Sequence, residues 1–394
     1  MKFKNVYIVD GVRSPIGSFC GSLGSQSAVE LGLPLVSALL KRNQLATTGI
    51  NEVIMGNVLT ANNGQAPARQ VALKGGLDQG VSAYTINKVC SSGLFSNILG
   101  ARSIELGVSQ VVIAGGIESM SQAPFYLTNY RQGVKLGDQK LVDSVIKDGL
   151  WDVYNDFHMG CAGELCAKKY NFSREMQDEF AIESYDRALA SMQNKEFENE
   201  IVPIEIRLGK KQILVSEDEE PSKLVREKVS QLRPAFDKDG TITAVNASSL
   251  NDGSAMLLLA SEEAVKKYNL KPRAKIISEG MHSQAPEWFT TAPVTAVNNC
   301  IANSGLKKSD FDFFEINEAF SAVALACMKE LGLSKDVVNV RGGAVALGHP
   351  IGASGARILV TLLNILESKK AKRGIVGICN GGGEATAIAI ELIS

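Results

Sequence analysis

One cysteine stands where a short apolar strand changes into a helix. Residues 84–89 include β-branched side chains typical of a strand, and Leu94, Ile98 and later apolar residues recur at helical spacing. Cys90 is therefore expected at or near a helix N-terminus, where unpaired backbone N–H groups and the helix dipole favour an anion. Such a position would lower the thiol pKa from its ordinary value of about 8.5, making Cys90 a candidate nucleophile. A small buried apolar residue is the alternative reading of a free cysteine.

Two other residues could act on this thiol. His349 lies in a glycine-rich run from Gly342 to Gly355, which predicts close backbone approaches, and it is one of only three histidines. We interpret it as a catalytic base rather than a structural histidine. Cys379 ends an apolar strand and precedes consecutive glycines, whose amides could form an oxyanion-binding nest. A purely structural cysteine remains the alternative there.

Two weaker candidates accompany them. Asn317 follows the predicted strand 311–316, and open α/β sheets bind ligands at the carboxyl ends of their strands. His158 could equally be an ordinary loop histidine. The glycine runs match neither a Rossmann fingerprint nor a P-loop, which disfavours nicotinamide cofactors and nucleoside triphosphates.

Composition limits the class of protein. A chain of 394 residues exceeds one ordinary core and predicts two or three domains. Its net charge of -1 gives no reason to expect nucleic acid or an anionic membrane surface as a partner. The seven cysteines show neither disulfide-like nor zinc-like spacing, which fits a reducing compartment and predicts no metal. With neither a signal segment nor an apolar run of about 18 residues, we expect a cytoplasmic enzyme outside the membrane.

The chain carries an internal repeat. Short apolar strands alternate with helical segments, which predicts a mostly parallel sheet with covering helices. Gly93 and Gly115 are 22 residues apart, and so are Gly355 and Gly377 near the end. We predict two similar α/β halves related by duplication and a pseudo-two-fold axis. Such symmetry would point both helix N-termini at one central region, where the candidate cysteines and histidine could converge.

The segment between the halves differs from them in its sequence pattern. Residues 121–249 contain turn-rich breaks and an amphipathic helix at Ser173–Asn194 with Ser173 as its N-cap. We predict an inserted domain of loops and helices here. The N-terminal half would then comprise residues 1–120 with about 250–270, and the C-terminal half residues 271–394.

Six segments together resemble signatures of the thiolase family, in the family's order and across nearly the whole chain. They are Val89-Cys-Ser-Ser-Gly93, Gly115-Gly-Ile-Glu-Ser-Met120, Asn246-Ala-Ser-Ser-Leu-Asn-Asp-Gly253, Asn317-Glu-Ala-Phe320, Gly342 to Arg357, and Cys379-Asn-Gly-Gly-Gly383. The resemblance implies an α/β fold of two duplicated halves, layered α-β-α-β-α, with an inserted loop domain. It also implies a coenzyme A-dependent C-acetyltransferase that forms or cleaves acetoacetyl-CoA.

The resemblance implies a role for each matched residue. Cys90 would be the nucleophile that carries the acyl group as a thioester, and His349 would activate it and donate to a thioester oxygen. Cys379 would be the acid/base at the α-carbon. Asn317 would hold a water that forms one oxyanion hole with His349, and the backbone amides of Cys90 and Gly381 would form the second.

Substrate contacts are also implied by the resemblance. The predicted residues of the acyl pocket and the coenzyme A site are His158, Met159, Ser248, Phe236 and Phe289. The short-chain type of loop at His158 favours acetoacetyl-CoA, with 2-methyl or longer 3-ketoacyl substrates as alternatives. Residues 219–222 depart from family patterns that supply a tyrosine for potassium or an arginine near the adenine, so neither feature is inferred.

No permanently bound cofactor is expected, because coenzyme A and acetyl-CoA are substrates. The family analogy implies a homotetramer or a homodimer. Two alternative interpretations exist. A decarboxylating ketosynthase relative would use a cysteine with two histidines, whereas this chain has Cys379. A non-catalytic acyl-CoA-binding protein on the same scaffold would be favoured by loss of Cys90 or His349, and both are present.

Overall fold

The computed structural model describes residues 1–393 as strands and helices in alternation. The strands are β1 Tyr7–Arg13, β2 Gly17–Ser18, β3 Glu52–Gly56, β4 Ser82–Ile86, β5 Val111–Ser119, β6 Phe125–Leu127, β7 Leu141–Asp143, β8 Trp151–Asp152, β9 Phe157–His158, β10 Ile204–Leu208, β11 Lys211–Val215, β12 Asn251–Ala260, β13 Ala274–Ser283, β14 Phe313–Ile316, β15 Arg373–Asn380 and β16 Glu384–Leu392. The α-helices are α1 Ala28–Arg42, α2 Pro67–Lys74, α3 Ser92–Glu105, α4 Met159–Tyr170, α5 Arg174–Gln193, α6 Glu262–Lys267, α7 Ala292–Ser304, α8 Ser321–Leu331, α9 Ala344–Leu347 and α10 Ser354–Ser368. A π-helical turn covers Val145–Leu150. None of the described helices has the length and apolarity needed to cross a membrane.

The predicted duplication is confirmed by the order and direction of the strands. One half runs β4-β3-β5-β12-β1, and the other runs β14-β15-β16-β13 with Val338 bridged to the outer side of β14. In each half the first two ladders are parallel and the next two are antiparallel. The halves meet where Tyr7 and Ile8 of β1 pair with Lys275 and Ala274 of β13.

The expectation of a mostly parallel sheet is wrong. In each half the last two ladders are antiparallel, because their strands do not return through a helical crossover. β15 and β16 are joined by the short turn Gly381–Gly383, in which Gly382 and Gly383 have φ of 90° and 83°. β12 reaches β5 only after the long insertion. A sequence in which strands and helices alternate predicts helical crossovers between parallel strands. It does not show where a strand pairs with its neighbour through a turn or after a long insertion.

The halves stack into the layers α-β-α-β-α. Helices α1 and α2 cover the outer face of the first sheet, and α7 and α8 cover the outer face of the second. Between the sheets, α3 and α10 share one apolar core with the inner side chains of both. This core lies directly beneath the start of both helices, so it fixes the residues that precede them.

The central helices α3 and α10 touch through backbone atoms. A Cβ atom on Gly93 would lie 2.8 Å from the carbonyl oxygen of Gly352 and 3.0 Å from the amide nitrogen of Ala356. A Cβ atom on Gly355 would lie 2.5 Å from the amide nitrogen of Leu94. Each glycine therefore faces the residue that follows its counterpart in the repeat. This reciprocity is what a pseudo-two-fold axis between the helices predicts, and it explains the need for glycine at both positions.

Residues 121–249 contribute the hairpins β6–β7, β8–β9 and β10–β11 together with α4 and α5. The side chain of Ser173 caps α5 by accepting from the amide of Met176 at 3.2 Å, as the sequence predicted. The hairpin β10–β11 packs on the outer core of the first half. The proposed domain boundaries stay a prediction.

Candidate active site

Cys90 lies in a tight turn between β4 and α3. Ser91 is the N-cap residue of α3, so Cys90 immediately precedes the helix. The hydroxyl of Ser92 accepts from the amide of Lys88 at 2.8 Å and donates to the carbonyl of Val89 at 2.6 Å. Val89 itself has a φ of 47°, a costly conformation for a β-branched residue. The turn is thus held by its own hydrogen bonds and by packing in a strained shape that presents Cys90.

The predicted lowering of the Cys90 pKa is wrong for this structure. Burial raises the pKa of the Cys90 thiol to about 12, and the carboxylate of Glu118 adds to the rise. The amide N–H groups of Gly381 and of Cys90 itself donate towards the sulfur and oppose it. Burial prevails because a thiolate in an apolar setting loses its hydration. Cys90 therefore rests as a thiol and needs a base.

The backbone of His349 is set by its neighbours. Gly348 has a φ of 101°, and the amide of His349 donates to Oδ1 of Asn251 at 2.8 Å. Nδ1 of His349 lies 2.6 Å from the hydroxyl of Ser354, which donates its proton to the carbonyl of Pro350 at 3.0 Å. Because that hydroxyl has only one hydrogen, it accepts from Nδ1–H. Nε2 of His349 consequently carries a free lone pair.

His349 is a neutral imidazole at physiological pH. Burial, together with the positive charge of Arg357, lowers its pKa to about 3. Its Nε2 atom is buried and has no hydrogen-bond partner among residues 1–393. A neutral ring with an unpaired acceptor can take a proton from a thiol.

Cys379 and Asn317 are both buried, and neither is among the residues that line the cavity described below. Cys379, the penultimate residue of β15, is fully buried. Burial raises the pKa of its thiol well above the ordinary value, and Cys90 raises it further. Asn317 follows β14 and is 1% exposed. Neither polar atom of its side chain finds a hydrogen-bond partner within the described residues. Buried amide atoms without a partner indicate a place for a water or another polar group.

Side-chain bonds join the two halves at the site. The hydroxyl of Ser91 donates to Oδ1 of Asn380 at 2.7 Å, and Lys88 pairs with Glu384 at 2.5 Å. The first bond joins the residue after Cys90 to the residue after Cys379, and the second joins residues two and five positions away from them. The turn after β4 and the end of β15 are therefore fixed relative to each other, as the repeat predicted.

An apolar cavity of about 430 Å³ opens onto these groups. Cys90, His349 and Gly381 line it, and the predicted substrate contacts that also line it are His158, Met159, Ser248, Phe236 and Phe289. The ring of His158 stacks on Phe236 with centroids 4.8 Å apart, and burial lowers its pKa. In the described part of the chain, no group of three His, Cys, Asp or Glu residues is placed to hold a metal ion.

Sequence reasoning missed the groups that hold the loops of the site. The buried carboxylate of Glu118 accepts hydrogen bonds from Asn57 Nδ2 at 2.7 Å and from the amides of Val58, Leu59 and Gly352 at 3.0, 3.2 and 2.8 Å. Burial raises the pKa of Glu118 to about 7, although each of these four hydrogen bonds lowers it. Glu118 thus ties the loop after β3 to the loop of His349. The signal in the sequence was a carboxylate inside the apolar strand 110–119.

Comparisons with known proteins show which family the chain is similar to. Family models match residues 6–263 as "Thiolase, N-terminal domain" and residues 270–392 as "Thiolase, C-terminal domain". A cytosolic acetyl-CoA acetyltransferase of Gibberella zeae is 53% identical over 98% of both chains, and the acetyl-CoA acetyltransferase of Saccharomyces cerevisiae is 50% identical over 99% of this chain and 100% of its own. The crystal structure of the acetyl-CoA acetyltransferase of Bacillus anthracis superposes with a TM-score of 0.97 at 40% identity, covering 100% of both chains. A thiolase from Ascaris suum in complex with coenzyme A gives 0.94 at 46% identity, covering 99% of this chain and 100% of that one.

Proposed function

Since this chain belongs to the thiolase family, we propose that it is an acetyl-CoA C-acetyltransferase, which converts acetoacetyl-CoA and coenzyme A into two acetyl-CoA and catalyses the reverse condensation. The observation that carries the proposal is the meeting of Cys90, His349 and Gly381 on one apolar cavity, with Cys379 buried close enough to Cys90 for the Cys90 sulfur to raise its pKa. Relatives named acetyl-CoA acetyltransferase, at about half identity over almost the full chain, support it.

Acyl transfer begins from neutral groups. Nε2 of His349 takes the proton of the Cys90 thiol as the sulfur attacks the 3-keto carbon of acetoacetyl-CoA. The developing oxyanion would be met by donors fixed before the reaction, each typically worth a factor of about 10² to 10³ in rate. The amides of Cys90 and Gly381 supply one such pair. A water held by Asn317, with His349, supplies the other.

The carbon–carbon bond then breaks, and the enolate of acetyl-CoA leaves. Cys379 rests as a thiol, since burial raises its pKa, and it gives its proton to the enolate carbon. Acetyl-CoA departs and leaves acetyl-Cys90, a Cys379 thiolate and a protonated His349. The incoming coenzyme A thiol loses its proton to Cys379 and takes the acetyl group, and His349 returns its proton to Cys90. The cycle is balanced and has ping-pong kinetics.

The cavity residues suit the arm of coenzyme A. We assign the pantetheine contact to Ser248, whose hydroxyl lies 3.0 Å from the carbonyl oxygen of Ala319 at the cavity wall. Phe236 and the stacked His158 line one side, and Met159 and Phe289 form the apolar floor near the acyl group. Coenzyme A and acetyl-CoA are thus substrates and no permanent cofactor is assigned. A homotetramer or homodimer, a cytoplasmic location, and the division into two thiolase halves with an insertion at 121–249 complete the proposal.

Labelling of the acyl-enzyme tests the two cysteine roles separately. Rapid mixing with radiolabelled acetyl-CoA should give about one acetyl group per wild-type chain on Cys90. Cys90→Ser should lose both the label and acetoacetyl-CoA thiolysis, because a hydroxyl is a far poorer nucleophile at neutral pH. Cys379→Ala should keep the label and lose thiolysis.

The control variant is Cys300→Ser, a buried cysteine held by Ser278 in the outer core, which should retain both activities. Full thiolysis by Cys90→Ser would refute the assignment of the nucleophile. Equal loss of label and thiolysis in Cys379→Ala would refute separate roles for the two thiols.

A further inference from the structure

Glu118 is a fully buried carboxylate to which the reaction above gives no role. Its Oε1 atom accepts from Nδ2 of Asn57 at 2.7 Å and from the amide of Leu59 at 3.2 Å. Its Oε2 atom accepts from the amides of Val58 and Gly352 at 3.0 and 2.8 Å. The four donors occupy both oxygens, so a proton on either oxygen would displace at least one of them. The surroundings of Glu118 are therefore built for an ionised carboxylate.

The bond to Gly352 holds the loop that carries His349. Gly352 lies between His349 and Ser354, whose hydroxyl binds the imidazole. A Cβ atom on Gly352 would lie 2.5 Å from Oε2 of Glu118, and a Cβ atom on Gly116 would lie 2.0 Å from the carbonyl oxygen of Gly352. The loop is thus in direct contact with β5, at a distance that only glycine permits, and Glu118 is the acceptor that fixes it there.

The other three donors to Glu118 belong to the loop after β3, which lies against the turn of Cys90. Gly56 is the last residue of β3, and a Cβ atom on it would lie 2.5 Å from the backbone carbonyl carbon of Ser92, at the start of α3. Asn57 follows directly and bonds to Glu118. One carboxylate therefore holds both the backbone beside the nucleophile and the backbone beside its base.

We propose that Glu118 is a positioning residue for acyl transfer, whose ionised carboxylate keeps the loop of His349 aligned with the turn of Cys90. The inference rests on the proposed function. Glu118 does not touch the substrate, because it is fully buried and is not among the residues that line the cavity. Loss of its charge frees at least one donor and lets the two loops shift relative to each other. A misplacement of about 1 Å in an active site can lower the rate by a factor on the order of 10².

The proposal has a signature in the pH dependence of acylation. Burial raises the pKa of Glu118 to about 7, so the carboxylate takes up a proton as the pH falls through this value. The titratable side chains on the elements packed around Glu118 are Lys88 and Cys90 before α3, His349 before α10, Arg357 within α10 and Asp252 on β12. Cys90 and His349 are both uncharged near pH 7, and Lys88 is held in an ion pair with Glu384. Asp252 is the only other carboxyl group in this set, and burial raises its pKa as well.

The test is the single-turnover rate of acetyl-Cys90 formation from radiolabelled acetyl-CoA between about pH 5.5 and 9, with folding checked at each pH by near-UV circular dichroism. In the wild type the maximal rate should fall by about tenfold or more on an acid limb centred near pH 7, because protonated Glu118 releases a donor. The acetyl-CoA concentration at half-saturation should change by less than about threefold. Glu118→Gln should be slower than the wild type by about tenfold or more at pH 8 and should have no acid limb.

Two control variants remove other buried carboxylates. Glu52 lies at the opposite end of β3 from Asn57 and accepts from the hydroxyls of Ser103 and Ser109 at 2.6 and 3.0 Å. Glu52→Gln should therefore keep both the wild-type rate and the acid limb. Asp252→Asn should also keep the acid limb, because Asp252 receives its hydrogen bonds from the end of β5 and the residue two positions beyond it.

The outcomes separate this inference from the proposed function. A wild-type acylation rate that stays constant down to about pH 5.5 overturns the positioning role, and this result requires no variant to fold. An acid limb that persists in Glu118→Gln, or that disappears in Asp252→Asn, overturns it as well. Equal losses of rate in Glu118→Gln and Glu52→Gln have the same meaning. A wild-type protein that forms no acetyl-enzyme at any pH refutes the proposed function and this inference with it.

Discussion

Replacing Ser354 by alanine should slow acylation of Cys90 by changing which nitrogen of His349 carries the proton. In the wild type the Ser354 hydroxyl accepts from Nδ1–H at 2.6 Å and donates to Pro350, which leaves the Nε2 lone pair free. In Ser354→Ala the Nδ1–H tautomer has a buried, unsatisfied donor, which costs about 1–3 kcal/mol. That cost corresponds to a reactive tautomer roughly 5- to 150-fold less populated.

The assay is the rate of acetyl-Cys90 formation from radiolabelled acetyl-CoA in single-turnover mixing. The matched control is Ser96→Ala, a buried serine of α3 whose hydroxyl oxygen lies 2.8 and 2.7 Å from two backbone carbonyl oxygens and has no hydrogen bond to His349. It should lose comparable stability and acylate at the wild-type rate. Ser354→Thr, which keeps the hydroxyl, should recover most of the rate. If Ser354→Ala acylates as fast as Ser96→Ala, the tautomer argument is wrong.

Two other perturbations test the packing and the charge state of the site. The pKa of His349 is about 3 in the folded chain, whereas its ordinary value is 6.5. Between these two pH values the unfolded chain binds a proton that the folded chain does not, so acidification destabilises the protein. His349→Gln should therefore lose about 2 kcal/mol less free energy of unfolding than the wild type between pH 7 and pH 5, by urea titration, and identical losses would contradict a buried neutral imidazole. Gly93→Ala should lower the free energy of unfolding by about 1–3 kcal/mol, since its Cβ would press on backbone atoms of Gly352 and Ala356. In Gly100→Ala, in the same helix, the new Cβ meets side-chain atoms of Val112, Leu259 and Ala114 at 3.1, 3.2 and 3.4 Å and no backbone atom, so the free energy of unfolding should change by less than about 1 kcal/mol. Equal effects of the two substitutions would argue against the backbone contact at Gly93.

The sequence alone predicts the duplicated architecture because its signal is local and repeated. Equal spacing from Gly93 to Gly115 and from Gly355 to Gly377 follows from one structural demand, a helix start packed against its symmetric partner. Strand direction was not predictable in the same way. An apolar run has the same composition whether its strand returns through a helix, a three-residue turn or an insertion of more than a hundred residues, and only the path of the chain decides between parallel and antiparallel pairing.

The supporting groups of the site escaped prediction for a related reason. Glu118 meets Gly352 across 234 residues of chain, and Asn251 meets His349 across 98. Sequence patterns are recognised over a few residues, so neither contact could be predicted from them. His349 and Cys379 could be predicted because each stands in or next to a glycine-rich run, and Cys90 because it stands where a strand pattern changes into a helical one.

The error in the Cys90 pKa has a mechanistic consequence. A helix start favours a thiolate, and on that ground the sequence predicts a lowered pKa for the thiol of Cys90. In the folded chain the same cysteine is packed against apolar side chains and near the carboxylate of Glu118, and these effects outweigh the two amides that donate to its sulfur. His349 is also uncharged at rest, so a thiolate–imidazolium pair would have to be created inside a cavity of low polarity. In the proposed mechanism the amides of Cys90 and Gly381 stabilise the charge that develops on the thioester oxygen, so we expect proton transfer to His349 to accompany attack on the bound substrate rather than to precede it. Alkylation of free Cys90 by iodoacetamide should accordingly keep rising with pH up to at least about 10, and a plateau near neutral pH would indicate a preformed thiolate.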